Sequence, residues 1–144
     1  MTSLVSLEKK INSELTTKIN ESKIKHGQLH LNIDNEDLLD VILFLKTNKD
    51  TKFRQLIDIT AVDYIENPKR FKIVYLFLSH EINQRIILNY FINENEVISS
   101  LTKIFPAANW MEREVFDMYG INFKNHPDLR RILTDYGFKG HPLR

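Results

Sequence analysis

The stretch that decides the fold is FRQLIDITAVDYIENPKRFKIVYLFLSHEINQRIILNYFI, residues 53–92. Its apolar residues recur with period two, the signature of strands rather than helices. Turn-forming residues at Glu66-Asn67-Pro68 and at Ser79 to Asn83 cut it into three β-rich runs. The first is long and interrupted by Asp58, Thr60 and Asp63. The second, Phe71 to Leu78, is apolar on both faces apart from Lys72, the pattern of a central strand. The third, Arg85 to Ile92, sets Ile86, Leu88, Tyr90 and Ile92 against Ile87, Asn89 and Phe91. The short connections make the three antiparallel neighbours.

Upstream, Leu4, Leu7, Ile11, Leu15 and Ile19 stand three and four residues apart among polar ones, which predicts an amphipathic helix with Gly27 beyond its end. Gln28 to Ile33 alternates as a half-buried strand. Asp34 or Asn35 is placed to cap a helix at about 36–47, with Leu38, Leu39, Ile42, Phe44 and Leu45 as its apolar stripe. Downstream, Glu96 to Phe105 reads as a short helix stopped by Pro106. Asn109 opens another, with Glu112 completing an Asn-x-x-Glu capping box and Gly120 as a left-handed stop. The expected order is α β α β β β α α in one α+β domain spanning 1–144. Its sheet is mixed or antiparallel, helices pack on one face, and an irregular tail covers 120–144.

That tail sets the functional question. Ala107 to Arg144 holds two His-Pro pairs and three of the chain's four glycines, and its second half shows no sustained period. About 25 irregular residues in a compact domain usually bind something or close a site, so the segment reads as a docking surface.

Composition narrows what it docks to. Twenty Lys and Arg against nineteen Asp and Glu give a net charge of +1, too little for nucleic acid or anionic lipid to be held by the overall field. Between Trp110 and Arg144 the balance is six basic residues to five acidic, so no basic patch arises there either. Cysteine is absent, which removes disulfides, iron–sulfur ligation and thiolate zinc sites from this chain's own chemistry. The longest apolar runs, Ile73 to Leu78 and Val41 to Leu45, are far shorter than the 18 or so residues of a membrane span. The N-terminus has neither a signal-peptide core nor early arginines, which fits use in the cytosol.

Candidate sites follow the charges. On the helix from Trp110 to Tyr119, Glu114 and Asp117 lie roughly 60° apart and Glu112 points elsewhere, while Arg113 lies within roughly 40° of Asp117 and is placed to pair with it. This is an interface pattern more than an acid/base pair. Five histidines offer no helical ligand spacing, so no metal site is expected. Phosphate loops, dinucleotide fingerprints and nucleophile elbows are all missing. A polar edge strand facing solvent accounts for Asp58, Thr60 and Asp63, and a partner on the same edge is the alternative.

These residues resemble a known family. Glu112-Arg113-Glu114, Asp117, Gly120-Ile121, Phe123, His126-Pro127, Leu129-Arg130-Arg131-Ile132-Leu133 and Gly140-His141-Pro142-Leu143-Arg144 are similar to the signature of the C (30 kDa) subunit of the proton-pumping NADH:quinone oxidoreductase of respiratory complex I. Asp58 to Tyr64 and Ala108-Asn109-Trp110 resemble two further stretches of it. The likeness covers Phe53 to Arg144; the first 50 residues share only the element order.

The resemblance implies a peripheral-arm subunit on the cytoplasmic side of the bacterial inner membrane, or the matrix side in mitochondria, that meets the membrane only through its complex. FMN and iron–sulfur clusters would sit in partner subunits and none in this chain. The chief partner would be the large hydrogenase-like quinone-site subunit, with neighbouring iron–sulfur subunits beside it. Glu112, Arg113, Glu114, Asp117, His126, Arg130, Arg131, His141 and Arg144 would carry the interface, and no residue would be catalytic. The equivalent scaffold of a membrane-bound hydrogenase or formate-oxidising complex is one rival; a free-standing acid/base enzyme using Glu114, Asp117 and His126 is a remote one. Two departures stand out. Asn125 replaces the family's usual glycine before His-Pro, which is expected to alter the loop. The chain also stops at Arg144, where most members continue through Lys-Asp-Phe-Pro, as a short member or a fragment would.

Overall fold

The structure is a computed structural model that describes residues 3–127 and residue 129. Helix α1 (Leu4–Glu14) is followed by strands β1 (Glu21–Lys25) and β2 (Gln28–Asn32), a 3-10 turn at Asn35–Asp37 and helix α2 (Leu38–Thr47). Strands β3 (Gln55–Asp63), β4 (Phe71–Ser79) and β5 (Gln84–Ile92) come next, then a two-residue β6 (Ile98–Ser99), helix α3 (Ala108–Tyr119) and a two-residue β7 (Phe123–Lys124). Five strands form one sheet in the order β1-β2-β5-β4-β3, and β6 pairs with β7 separately. Antiparallel β1/β2 and parallel β2/β5 make the larger sheet mixed. The chain divides into two compact units, residues 1–58 with 74–90 and residues 59–73 with those from 91 onward.

In the first unit, the Ser3 hydroxyl accepts from the Ser6 amide at 3.1 Å and starts α1, which buries Leu7 and Ile11. The expected stripe ran on to Ile19, but the helix ends at Glu14 and β1 intervenes before β2. Gly27 is half of a two-residue hairpin turn rather than a position beyond a helix end. His26 (φ 53°) and Gly27 (φ 72°) are both left-handed, as the tightest hairpin turns require. The strand was concealed by its composition, since ESKIK carries a single apolar residue and four of its five positions are exposed.

Helix α2 falls where its stripe placed it and buries Leu38, Val41, Ile42 and Leu45. The period-two reading of residues 53–92 also holds, and short connections between sheet neighbours run β3, β4 and β5 antiparallel. The middle position belongs to β5, with β4 between it and β3. Strand β4 buries Phe71, Ile73, Tyr75, Phe77 and Ser79 on one face and leaves the other half-buried. In β3 the buried residues are Leu56, then Ile59 and Ala61, a one-residue slip of the kind a bulge produces in an edge strand. Tyr75 and Tyr90, both fully buried, meet through their hydroxyls at 2.9 Å.

In the second unit the expected helix over 96–105 is absent. β6 takes Ile98 and Ser99, and Leu101 to Phe105 form a turn closed by the Phe105 amide on the Leu101 carbonyl at 2.7 Å. Val97 and Ile98 are β-branched and two serines follow, a poor helix sequence, and the Ile98 amide bonds the Asn122 carbonyl instead. The order therefore gains β1, β6 and β7 and has three α-helices, not four, among the described residues. Helix α3 starts at Ala108 without a side-chain cap, so the Asn109/Glu112 capping box does not form. It ends as expected at Gly120 (φ 74°), whose amide bonds the Phe116 carbonyl at 2.8 Å.

Candidate functional site

The charged face of α3 proves to be two different things. Glu112 and Asp117 are fully buried, whereas Arg113 and Glu114 lie toward the surface around Trp110, which is 51% exposed. The Trp110 Nε1–H donates to Glu114 Oε1 at 2.6 Å, and the Arg113 guanidinium lies 5.3 Å from the Trp110 ring centroid. The Arg113 Nε is buried without a hydrogen-bond partner. Trp110, Glu114 and Met118 follow one another at i, i+4 and i+8, a stripe visible in the sequence once the helix start is known. Beside it a groove of ≈ 270 Å³ is walled by Ile59, Ala61, Glu114, Val115, Met118 and Tyr119. Exposed tryptophan with arginine and methionine is the composition of protein interfaces.

Glu112 serves the interior. Its Oε2 accepts from the Leu101 amide at 2.7 Å and its Oε1 from the Ser100 hydroxyl at 2.6 Å, which ties the turn after β6 to α3. Burial pushes its carboxyl up to about 7, against the opposing pull of these two bonds. The His126 side chain is also fully buried, with Nε2 3.9 Å from Glu112 Oε1. Its Nε2–H donates to the Asn109 carbonyl at 3.0 Å, which fixes the loop after β7 to the first turn of α3. A carboxyl beside an imidazole has acid/base chemistry in principle. Here neither side chain is exposed.

One feature escaped the sequence reading. Asp63 takes a bidentate pair from Arg70, Nε to Oδ1 at 2.7 Å and the second guanidinium nitrogen to Oδ2 at 2.8 Å, closing the loop between β3 and β4. Arg70 also lies over Phe71 at 5.2 Å and reaches Glu94 at 3.4 Å. Asp63 carried no signal for this, because its partner stands seven residues away across a turn. Asn125, where the resemblance puts a usual glycine, stands in the loop after β7. Asn125 holds φ 67°, the left-handed conformation that glycine adopts and that asparagine tolerates best among side-chain-bearing residues.

Arg130, Arg131, His141 and Arg144 lie outside the described residues. Among those described, the acidic group Asp34, Glu36 and Asp37 is the candidate metal cluster, but Lys18 reaches Asp37 at 3.6 Å and Asn20 donates to Asp34 at 2.9 Å. No described helix is long and apolar enough to cross a membrane.

Residues 31–144 match the family model described as respiratory-chain NADH dehydrogenase, 30 Kd subunit. The chain belongs to this family. It is 53% identical over 121 residues to the C subunit of the NADH-quinone oxidoreductase of Ruegeria pomeroyi, covering 84% of this chain and 60% of that one. With the corresponding C subunit of Mesorhizobium japonicum the figures are 42% over 142 residues, 99% and 71%. The chain thus spans about three fifths of the length of the first of these 30 kDa subunit relatives. The fold is shared with a trypsin-resistant fragment of Nqo5, at TM-score 0.71 and 24% identity over 88% of this chain and 98% of that one. It is shared also with a chain of an archaeal membrane-bound sulfane sulfur reductase, at TM-score 0.77 and 21% identity over 91% and 77%.

Proposed function

We propose that this chain is a peripheral-arm subunit of an NADH:quinone oxidoreductase, seated on the cytoplasmic side of the inner membrane or the matrix side in mitochondria. It scaffolds the quinone-reducing module while electrons pass from NADH through FMN and iron–sulfur clusters in other subunits to quinone, coupled to proton translocation. It holds none of those cofactors itself. Its chief partner is the large hydrogenase-like quinone-site subunit, with iron–sulfur subunits beside it. The observation that carries this reading is the 42–53% identity to proteins named as the C subunit of NADH-quinone oxidoreductase.

The geometry supports a scaffold. Trp110, Arg113 and Glu114 offer a surface for direct contact, and Arg130, Arg131, His141 and Arg144 follow in sequence. Glu112, Asp117 and His126 are interior, and Glu112 and His126 act by holding the segments on either side of α3 against it.

The test is a native gel of detergent-solubilised membranes, stained for NADH dehydrogenase activity and probed for this chain. The expected result is a large active band that also holds flavin and iron–sulfur subunits, with Trp110→Ala and Arg131→Ala reducing incorporation of a chain that still folds. A large band without NADH activity would transfer the scaffold to a hydrogenase-type complex. A chain found only as a small soluble species, or unimpaired incorporation of both variants, would count against the docking surface.

A further inference from the structure

Parallel pairing of β2 with β5, Leu29 opposite Ile86, brings two turns of the first unit to one end of the sheet: His26-Gly27 before β2 and the β4–β5 connection before Gln84. Between them lies a groove of ≈ 380 Å³ whose polar walls are Arg85, His26, His80, Gln28, Asn83 and Gln84. Among the described residues no carboxylate lines it. The nearest acid in sequence, Glu81, is engaged by Arg54 at 2.8 Å. His80 is held in place, its Nε2–H donating to Gln55 Oε1 at 2.8 Å.

The surroundings are unbalanced in the same sense. Residues 23–30, KIKHGQLH, hold two lysines and two histidines and no acid, and Lys25 pairs directly with Gln28 across the hairpin. The His30 imidazole is held below its ordinary range by burial first and then by the charge of Lys23, against a backbone hydrogen bond with Lys25 that pulls the other way. In a chain of net charge +1, this stretch is a local excess of positive charge.

We infer that this groove binds an oxyanion of the phosphate class, with Arg85 as the charged fork and the amides of Gln28, Asn83 and Gln84 as neutral donors. Arginine matches tetrahedral oxyanions because its planar guanidinium gives two parallel N–H bonds. The walls contain no Phe, Tyr or Trp ring on which a base could stack, so the recognised element is the phosphate group itself and not a nucleoside. Free pyrophosphate and the headgroup of an anionic phospholipid present the same chemistry. This inference is independent of the family assignment.

The experiment uses the purified full chain with two probes, inorganic pyrophosphate followed by titration calorimetry and amide shifts, and vesicles of phosphatidylglycerol against phosphatidylcholine followed by co-sedimentation. Saturable binding that perturbs the amides of residues 26–28 and 83–85 is expected. Arg85 is exposed, so Arg85→Ala should stay folded and weaken binding about tenfold or more, the scale of a charge-assisted pair. Arg85→Lys should restore part of it, and Lys103→Ala, an exposed charge of the other unit, should restore or remove nothing. Pyrophosphate binding assigns the soluble source and phosphatidylglycerol-only binding the lipid source. Absence of saturable binding to either probe, or binding that Arg85→Ala leaves unchanged, would overturn the inference.

Discussion

The two compact units differ in the polar groups they bury most deeply. In the first, three buried or half-buried pairs are neutral: the Tyr75 and Tyr90 hydroxyls at 2.9 Å, the Asn32 amide on Asn89 at 2.8 Å, the Thr51 hydroxyl on the Leu45 carbonyl at 2.8 Å; the fully buried Ser79 hydroxyl has no hydrogen-bond partner, and the half-buried Lys18 and Asp37 meet at 3.6 Å. In the second, ionisable groups go inside: Glu112, Asp117 and His126, with Asp63 nearly buried against Arg70. Neutral pairs rigidify a core at a cost independent of pH, whereas a buried carboxyl makes stability a function of proton activity. The neutral pairs of the first unit are insensitive to pH, and the second unit holds its segments with groups that respond to it.

The largest effect that could break this contrast comes from Glu112. Its folded value of about 7 lies above the ordinary 4.5, so the fold favours the protonated form. The stability associated with that proton is fully present below about 4.5 and is lost as pH rises toward 7. A shift of this size is on the order of 3 kcal/mol. Glu112→Gln should therefore stabilise the second unit by up to about that much at pH 8 and change little at pH 4. The amide fits the site: its oxygen accepts from Leu101, and its NH2 donates to the Ser100 oxygen, whose own hydrogen is free to turn to Thr102 at 2.9 Å. Amide hydrogen exchange read unit by unit across pH 4–8 checks it. In the first unit His30 gives the opposite slope, since a lowered imidazole value means stability gained as pH rises toward 6.5. Equal slopes in the two units, or a Glu112→Gln gain at pH 4 as large as at pH 8, would end the comparison.

The tyrosine pair tests the other side. Tyr75→Phe or Tyr90→Phe alone deprives one fully buried hydroxyl of the other and should cost about 1–2 kcal/mol at every pH. The double variant removes both hydroxyls, keeps the stacked rings at 5.9 Å, and should recover most of the loss. Urea unfolding of the three variants gives the coupling energy. Simple additivity would show that the hydroxyls do not act as a pair.

How much of this the sequence disclosed follows from which residues carry a periodic signal. Strands β2 to β5 and helix α2 were legible because their apolar positions repeat, and α3 ended where Gly120 placed its stop. Strand β1 was hidden since four of its five side chains face solvent, and 96–105 misled because Ile98, Leu101 and Phe105 are spaced like a helix face while they serve a strand and a turn. At the candidate site, residue types were legible and their depth was not. The heptapeptide WMEREVF shows three charges in a row, but only packing decides that Glu112 turns inward to the Leu101 amide while Glu114 turns outward to Trp110. The Asp63–Arg70 closure was out of reach for the same reason, being a contact across the loop after β3 rather than a pattern within a strand.

The smallest effect sharpens the comparison at the backbone. Both units place a non-glycine residue in the left-handed region at a turn, Asn83 at φ 52° in the first and Asn125 at φ 67° in the second. Asparagine bears this conformation at low cost, whereas a plain Cβ costs roughly 1–2 kcal/mol, so Asn125→Ala and Asn83→Ala should each destabilise by about 1 kcal/mol. Glycine relieves the steric term but loosens the unfolded chain by about 0.4–1 kcal/mol, and the two nearly cancel. Asn125→Gly should therefore fall within about 0.5 kcal/mol of the parent, by urea unfolding. Because His126 follows directly and its Nε2–H seats on the Asn109 carbonyl, strain at Asn125 should also reach exchange of the α3 amides, which strain at Asn83 should not. A loss at Asn125→Gly as large as at Asn125→Ala would show that the asparagine side chain, and not the backbone angle, holds the loop.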